Sequence, residues 1–151
     1  LGDVYKRQVY LHACSNLLKA QGIMLIQAIT MRDQRYDRAV KSVDFIQRYI
    51  FPGGFIPCIS AICHGIKKVT DLRLLNLEDI GPHYAKTLQD WRGRFINNLP
   101  EIRELGYSEE FIRMWEFYLS YCEGGFHERV LGNVQLVLVK PQNRLNWSPP
   151  V

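Results

Sequence analysis

No stretch of this chain is apolar for long enough to cross a membrane; its longest apolar run, Ile23 to Ile26 with Ala28 and Ile29, is the size of a strand. Cysteine is sparse and unpatterned. Cys14, Cys58, Cys63 and Cys122 form no CxxC pair and no secreted-scaffold spacing, which points to reduced thiols in a cytosolic protein rather than a disulfide framework. The histidines His12, His64, His83 and His127 stand in no HxxxH or carboxylate–histidine cluster, so no metal site is expected. No GxGxxG-like cluster follows a strand-like segment, and neither an internal repeat nor a low-complexity segment occurs. Charge is not strongly of one sign: the net +4 comes from basic residues scattered among acidic ones. This permits weak attraction to anionic lipid or nucleic acid without indicating either.

What is present is the balance of an ordinary globular protein. The chain has 151 residues, 47% apolar and 23% charged, enough for one domain or a piece of one with a real core. Leu1 to Gln8 fits nothing that follows. Asp3-Val4-Tyr5-Lys6-Arg7-Gln8 is similar to the translated end of a transposon adapter used for sequencing libraries, so residues 1–8 are set aside as a scar and the coding region upstream is expected to be lost. From Val9 the spacing of Leu11, Cys14, Leu17 and Leu18 is helical, and Gly22 stops it. Ile23-Met24-Leu25-Ile26 then predicts a strand buried on both faces. Thr30 to Gln47 is too long and polar for a simple turn; it suits a lid or carries its own helix. Phe45, Ile46, Tyr49 and Ile50 predict a short helix ended by Pro52-Gly53-Gly54, and Pro57 opens another with Ile59, Ile62, Cys63 and Ile66 on one face.

A second strand is expected within Val69–Leu77. A helix follows, with Tyr84, Leu88, Trp91 and Phe95 on its face, and Pro100 and Gly106 punctuate what comes after. Ser108 caps a helix with Glu109 and Glu110 in its first turn and Phe111, Trp115, Tyr118 and Cys122 on its apolar face; Gly124-Gly125 is expected to break it. Val134, Leu136 and Leu138 mark a last strand, ended by Lys140-Pro141, and residues 142–151 look like a loose tail. Strands alternating with helices make an α/β sheet with few strands. The basic and aromatic residues Arg92, Arg94, Phe95, Arg113 and Trp115 are expected as exposed charges on helices whose aromatics face inward, not as a nucleic-acid surface.

Several segments together resemble one family. Met24 to Thr30 resembles the fifth-strand motif of cyclopropane-fatty-acid synthases and mycolic acid methyltransferases. Phe45 to Gly54 with Ile56-Pro57, Glu78 to Leu88 with Trp91, and Phe111 to Trp115 with Tyr118-Leu119 and Tyr121-Cys122 resemble the segments that follow it in that family. The resemblance covers residues 9–141 and implies the C-terminal half of a Rossmann-like S-adenosylmethionine-dependent methyltransferase domain, its sheet incomplete. The family's Gly-rich cofactor loop, an acidic residue and an N-terminal cysteine have no counterpart here, so cofactor-binding residues are expected in the missing N-terminal half.

The resemblance also implies a chemistry. In the family the methyl group of S-adenosylmethionine goes to a cis double bond of a phospholipid acyl chain, and bicarbonate accepts the proton as the ring closes. Tyr84 matches a tyrosine that contacts the bicarbonate, Ile29 a position whose backbone contributes, and Cys122 an assigned active-site cysteine. On periodicity alone, Tyr84 only begins an apolar face, and Cys122 is a small hydrophobe on a helix. Gln27 departs from the family, where many members carry histidine: its amide can donate a hydrogen bond to the anion but cannot take up a proton. Gln27, Ile29 and Tyr84 are expected to converge at one end of the sheet. The family further implies a cytoplasmic protein, peripheral at the inner membrane face, with a homodimer compatible for the intact protein. Two alternatives stay open: a related methyltransferase with another lipid or an amine as acceptor, and a non-enzymatic α/β module that binds lipid or protein.

Overall fold

The protein's structure is a computed structural model that describes residues 4–144. Residues 1–3 of the expected scar and residues 145–151 of the expected tail lie outside the described residues. The chain divides into two compact units, one formed by residues 1–79 and 133–151, the other by residues 80–132.

The first unit is a three-stranded sheet with helices. Helix α1 (Val4–Leu17) leads to strand β1 (Ile23–Met31), and a short helix α2 (Asp33–Ala39) and a π-helical turn (Ile46–Ile50) fill the long connection. Helix α3 (Ile59–Val69) and strand β2 (Arg73–Asp79) follow, and β3 (Leu131–Val139) completes the sheet in the order β1-β3-β2. Strands β2 and β3 are antiparallel, with Leu77 opposite Leu136 and Asp79 opposite Val134, and a register irregularity between Leu74 and Asn76. Beside β1, the Lys140 N–H donates to the Gly22 carbonyl and the Gln135 amide to Gln27. Numbers rise along one strand as they fall along the other, so β3 is antiparallel to both neighbours.

Pleat alternation builds the core. Val134, Leu136 and Leu138 of β3 share a face with Met24, Ile26 and Ala28 of β1, and against it pack Leu11 of α1 and Ile62 and Ile66 of α3. Gly65 lets α1 and α3 approach, since a Cβ there would meet Leu11 Cδ1 at 3.2 Å. At the far end, Lys140 Nζ donates to Asp71 Oδ1 at 2.7 Å, and the Ser15 hydroxyl donates to the same oxygen at 2.9 Å. The Lys140 ammonium holds the Asp71 carboxyl below its ordinary pKa.

Several elements differ from the sequence expectation. Helix α1 runs back to Val4, because Tyr5-Lys6-Arg7-Gln8 contains no helix breaker, and Arg7 is buried with its guanidinium 3.4 Å from the Tyr36 hydroxyl. Strand β1 is not buried on both faces: Ile23, Leu25 and Gln27 are exposed on this edge strand, and the doubly buried strand is β3. Cys58, not Pro57, caps α3, its sulfur accepting from the Ala61 N–H. The helix then continues through Val69, so β2 starts only at Arg73. The tail is not loose at its start, where the Asn143 amide donates to the Gln21 carbonyl.

The second unit is helical: α4 (Gly81–Asn97), α5 (Leu99–Glu104) and α6 (Glu109–His127). Ser108 caps α6 by accepting from the Phe111 N–H, and Gly106, at φ +87°, turns the chain into it. Helices α4 and α6 pack together, joined by a bidentate Arg92–Glu123 pair. The buried face of α4 is Gly81, Ala85 and Leu88, while Trp91 is 42% exposed. Gly124-Gly125 does not break α6. The helix continues to His127 because Phe126 is buried and Gly125 admits Leu131, whose Cδ1 would lie 3.0 Å from a Cβ there. Burying Phe126 offsets the ~1 kcal/mol that each helical glycine costs.

Leu136 is fully buried at the centre of the sheet. We expect Leu136→Ala to destabilise the chain by about 2–5 kcal/mol in urea unfolding, whereas Leu25→Ala on the exposed edge should cost well under ~1 kcal/mol.

Candidate functional site

The expected site residues fall into two groups, one in each unit. Gln27 and Ile29 lie on β1 in the sheet unit. Gln27 is exposed, and its Oε1 accepts from the Gln135 amide at 3.0 Å. That bond fixes the amide's orientation and leaves its NH2 group to donate elsewhere. Ile29 is half-buried, next to the buried Thr30.

Tyr84 and Cys122 belong to the helical unit, and Tyr118 links them. Tyr84 stands on the first turns of α4, its ring edge-to-face with Phe126 at 5.0 Å and with Trp91 at 6.1 Å. Tyr118 lies close enough to both residues to feel them. Its phenol is pushed up to about 12, first by burial and then by Cys122 and Tyr84, with a hydrogen bond to Cys122 contributing. Along α6 the aromatic contact continues from Tyr118 to Trp115 at 5.1 Å, on to Phe111 at 5.6 Å and to Tyr107 at 4.6 Å. The result is an aromatic wall carrying three phenols, of Tyr84, Tyr107 and Tyr118, and one thiol. It offers neutral hydrogen-bond donors within an apolar lining and no obvious nucleophile.

The sequence pattern puts Tyr118 on the apolar face of α6 and assigns it no role in a site. Its spacing of four residues from Cys122 was the available signal, because residues i and i+4 meet on a helix. Arg94 and Arg113 are exposed charges, as expected, and Phe95 and Trp115 are half-buried; Arg92 departs from the expectation, being half-buried because it pairs with Glu123.

The sheet unit also holds a cleft of about 420 Å³ at the start of α3, lined by Asp33, Tyr36, Cys58, Ser60 and His64 among others. None of Gln27, Ile29, Tyr84 or Cys122 lines it. The Asp33 carboxylate accepts from the Ser60 N–H at 2.9 Å, and bonding to Ser60 lowers its pKa. Burial pushes the Cys58 thiol up, so it remains a protonated thiol and a cap rather than a nucleophile. Among the described residues, no group of three His, Cys, Asp or Glu side chains is placed to hold a metal ion, and no helix is long and apolar enough to cross a membrane.

The family description for mycolic acid cyclopropane synthetase matches residues 3–136. The chain belongs to this family. It is 40% identical over 131 residues to the tuberculostearic acid methyltransferase UfaA1 of Mycobacterium tuberculosis, which covers 87% of this chain and 31% of that protein. It is 33% identical over 120 residues to the cyclopropane-fatty-acyl-phospholipid synthase of Escherichia coli, covering 80% and 30% respectively. The crystal structure of the mycolic acid cyclopropane synthase CmaA1, complexed with SAH and CTAB, superposes with a TM-score of 0.79 at 26% identity, covering 90% of this chain and 50% of that one. The chain thus spans about a third of these curated relatives and half of the solved domain. Its α/β fold is that of S-adenosylmethionine-dependent methyltransferases, represented here by three strands with the last one antiparallel.

In this family member no glycine-rich turn joins a described strand to a helix in the manner of a nucleotide cradle: β1 runs through Arg32 into Asp33. The residues present do not fit S-adenosylmethionine by themselves.

Because Tyr118 feels both Tyr84 and Cys122, its titration reports on the cluster. Ultraviolet titration should show one phenol ionising near 12 that disappears in Tyr118→Phe, and Cys122→Ala should move it down towards 10. A phenol whose folded pKa is raised costs no stability below the unfolded value near 10, so stability should fall as pH rises from about 10 to about 12, and less so in Tyr118→Phe.

Proposed function

We propose that this chain is the acceptor-side part of an S-adenosylmethionine-dependent methyltransferase that acts on unsaturated lipid acyl chains. The observation that carries the reading is the aromatic cluster of Tyr84, Tyr118, Cys122 and Phe126 in a member of the cyclopropane synthetase family. S-adenosylmethionine, when bound, supplies an electrophilic methyl group. The glycine-rich turn that would receive it lies in the region upstream of this chain.

In the finer form of the proposal, the acceptor is a phospholipid acyl chain and the product a cyclopropane. In this form the cofactor, held by residues outside this chain, would supply the methyl carbon that becomes the third ring carbon, and bicarbonate would accept the proton released. The Tyr84 hydroxyl in the helical unit, and separately the Gln27 amide in the sheet unit, are each the kind of donor such a base would accept from. Their donor chemistry suits an anion: a phenol and a carboxamide donate without bringing a competing positive charge. Tyr118 and Cys122 line the acyl chain and keep water from it. The intact protein works as a cytoplasmic enzyme at the inner membrane face.

A second reading is favoured by the 40% identity to a tuberculostearic acid methyltransferase. Here the methyl is transferred to an acyl chain without ring closure; the product would become neutral by losing a proton as a methylene-branched chain, so an acceptor other than Gln27 is still required.

The test uses the protein that includes the region upstream of this chain, with methyl-labelled cofactor and unsaturated phospholipid. The expected result is labelled acyl chains, and proton NMR distinguishes a cyclopropane from a methylene-branched product. Tyr84→Phe should slow turnover about 10- to 100-fold, the worth of one hydrogen bond to a charged group, with partial recovery at raised bicarbonate. A Tyr84→Phe rate equal to the parent's, indifferent to bicarbonate, would remove the base-holding role. No labelled lipid at all would remove the methyltransferase reading.

A further inference from the structure

We propose that the connection after β1, from Arg35 to Phe51, is the surface by which this chain docks onto an anionic lipid bilayer; the inference rests on the lipid-acyl-chain reading above and names the face that meets the lipid. The segment presents four large apolar side chains to solvent: Val40 is 56% exposed, Val43 73%, Tyr49 58% and Phe51 53%. Single exposed apolar residues are ordinary, but four exposed large apolar side chains fall within this one connection. Interleaved with them are the exposed cations Arg35, Arg38, Lys41 and Arg48. Arg35, Arg38 and Lys41 form no ion pair among the described residues. Arg48 lies 6.0 Å from the ring centre of Tyr49.

The segment also carries two acids, Asp37 and Asp44, against four cations, and so is net basic. Asp44 exchanges two hydrogen bonds with Gln47: its carboxylate accepts from the Gln47 N–H at 2.8 Å, and its N–H donates to the Gln47 side chain at 3.0 Å. Asp37 faces the cleft beside Asp33. The surrounding unit favours an anionic partner as well, with thirteen Lys and Arg against seven Asp and Glu, whereas the helical unit has six against eight. Basic residues beside exposed aromatic and aliphatic side chains are the composition of an interfacial lipid-binding surface, where each cation near an anionic surface adds about fivefold in partition. A purely apolar protein partner would have no use for these charges.

The connection is held, not loose. The π-helical turn at Ile46–Ile50 is closed by the Phe51 N–H donating to the Ile46 carbonyl at 2.8 Å, and the Gln47 side chain donates to the Gly54 carbonyl at 3.0 Å. Such turns are rare and recur at functional sites. The connection also follows the carboxyl end of β1, the end of an open α/β sheet where ligands bind.

The experiment is co-sedimentation of the full chain with vesicles of phosphatidylglycerol and phosphatidylethanolamine, and with vesicles of phosphatidylcholine alone. The expected result is salt-sensitive binding to the anionic vesicles only, weakened at least about tenfold by Val43→Ser with Tyr49→Ser and Phe51→Ser, and likewise by Arg38→Glu with Lys41→Glu. Circular dichroism checks that each variant keeps the parent's fold. Independently, Phe51→Trp emission should shift to the blue on anionic vesicles and be quenched by brominated lipid. Equal binding by parent and variants, absence of binding by the parent, or a Phe51→Trp emission unmoved by vesicles would overturn the proposal. Segment-dependent binding in a protein that methylates no lipid would sustain the docking surface while removing the methyltransferase reading. Methyl transfer to vesicle lipid that these variants leave unchanged would do the opposite.

Discussion

Everything in the sheet unit depends on one strand that arrives late. Strand β3 lies between β1 and β2, so neither has a neighbour until the chain has passed through the whole helical unit and returned. Its burial is correspondingly complete: Val134, Leu136, Leu138 and Val139 are each no more than 1% exposed. The excursion is gripped at its base, where the Asn133 N–H donates to the Asp79 carboxylate at 3.2 Å. Such a topology places the main hydrophobic closure at long sequence separation, which slows folding because loop entropy is lost before contacts compensate. It also explains why a unit of three helices can sit within the sheet's connectivity: a parallel neighbour for β2 would need a crossover, whereas an antiparallel β3 only has to come back.

The sequence was most legible where local chemistry and burial agree. Ser108 with Glu109 and Glu110 marks the start of α6 because capping and the helix dipole act within a single turn. Ile59, Ile62 and Ile66 mark α3 because its stripe faces one core. The misses occur where tertiary packing overrules a local rule. Gly124-Gly125 stays helical because Leu131 needs the space a side chain would take. Ile23-Met24-Leu25-Ile26 has the composition of a doubly buried strand, yet burial depends on neighbours, and β1 lies at the edge of the described sheet. Val40 and Val43 carried no legible signal at all, since exposure of an isolated valine is not a property of its local sequence.

For the site, the motifs identified residue types but not their company. The structure shows the packing reading of Tyr84; its role toward a bound base stays a proposal. Its ring does belong to an apolar cluster, against Phe126 and Trp91, and that packing is also what would hold a hydroxyl in a fixed direction. Cys122 is a half-buried residue on a helix, hydrogen-bonded with Tyr118 one turn earlier on the same face. Gln27 remains the informative departure. An amide cannot replace imidazole as a base, so any proton the reaction releases must go to an acceptor other than Gln27.

The high pKa of Tyr118 bears on the same chemistry. A methyl transferred to an alkene leaves a carbocation, and the lining around it must stabilise positive charge without supplying electrons for a bond. Aromatic faces do the first through their quadrupoles. A phenolate would fail the second, because it is a nucleophile close to an electrophilic carbon. With its pKa raised to about 12 by burial, Tyr118 stays protonated through the whole physiological range, and its neighbour Cys122 is part of the reason. Desolvation in this wall thus keeps the half-buried Tyr118 phenol protonated, a neutral donor within an aromatic lining.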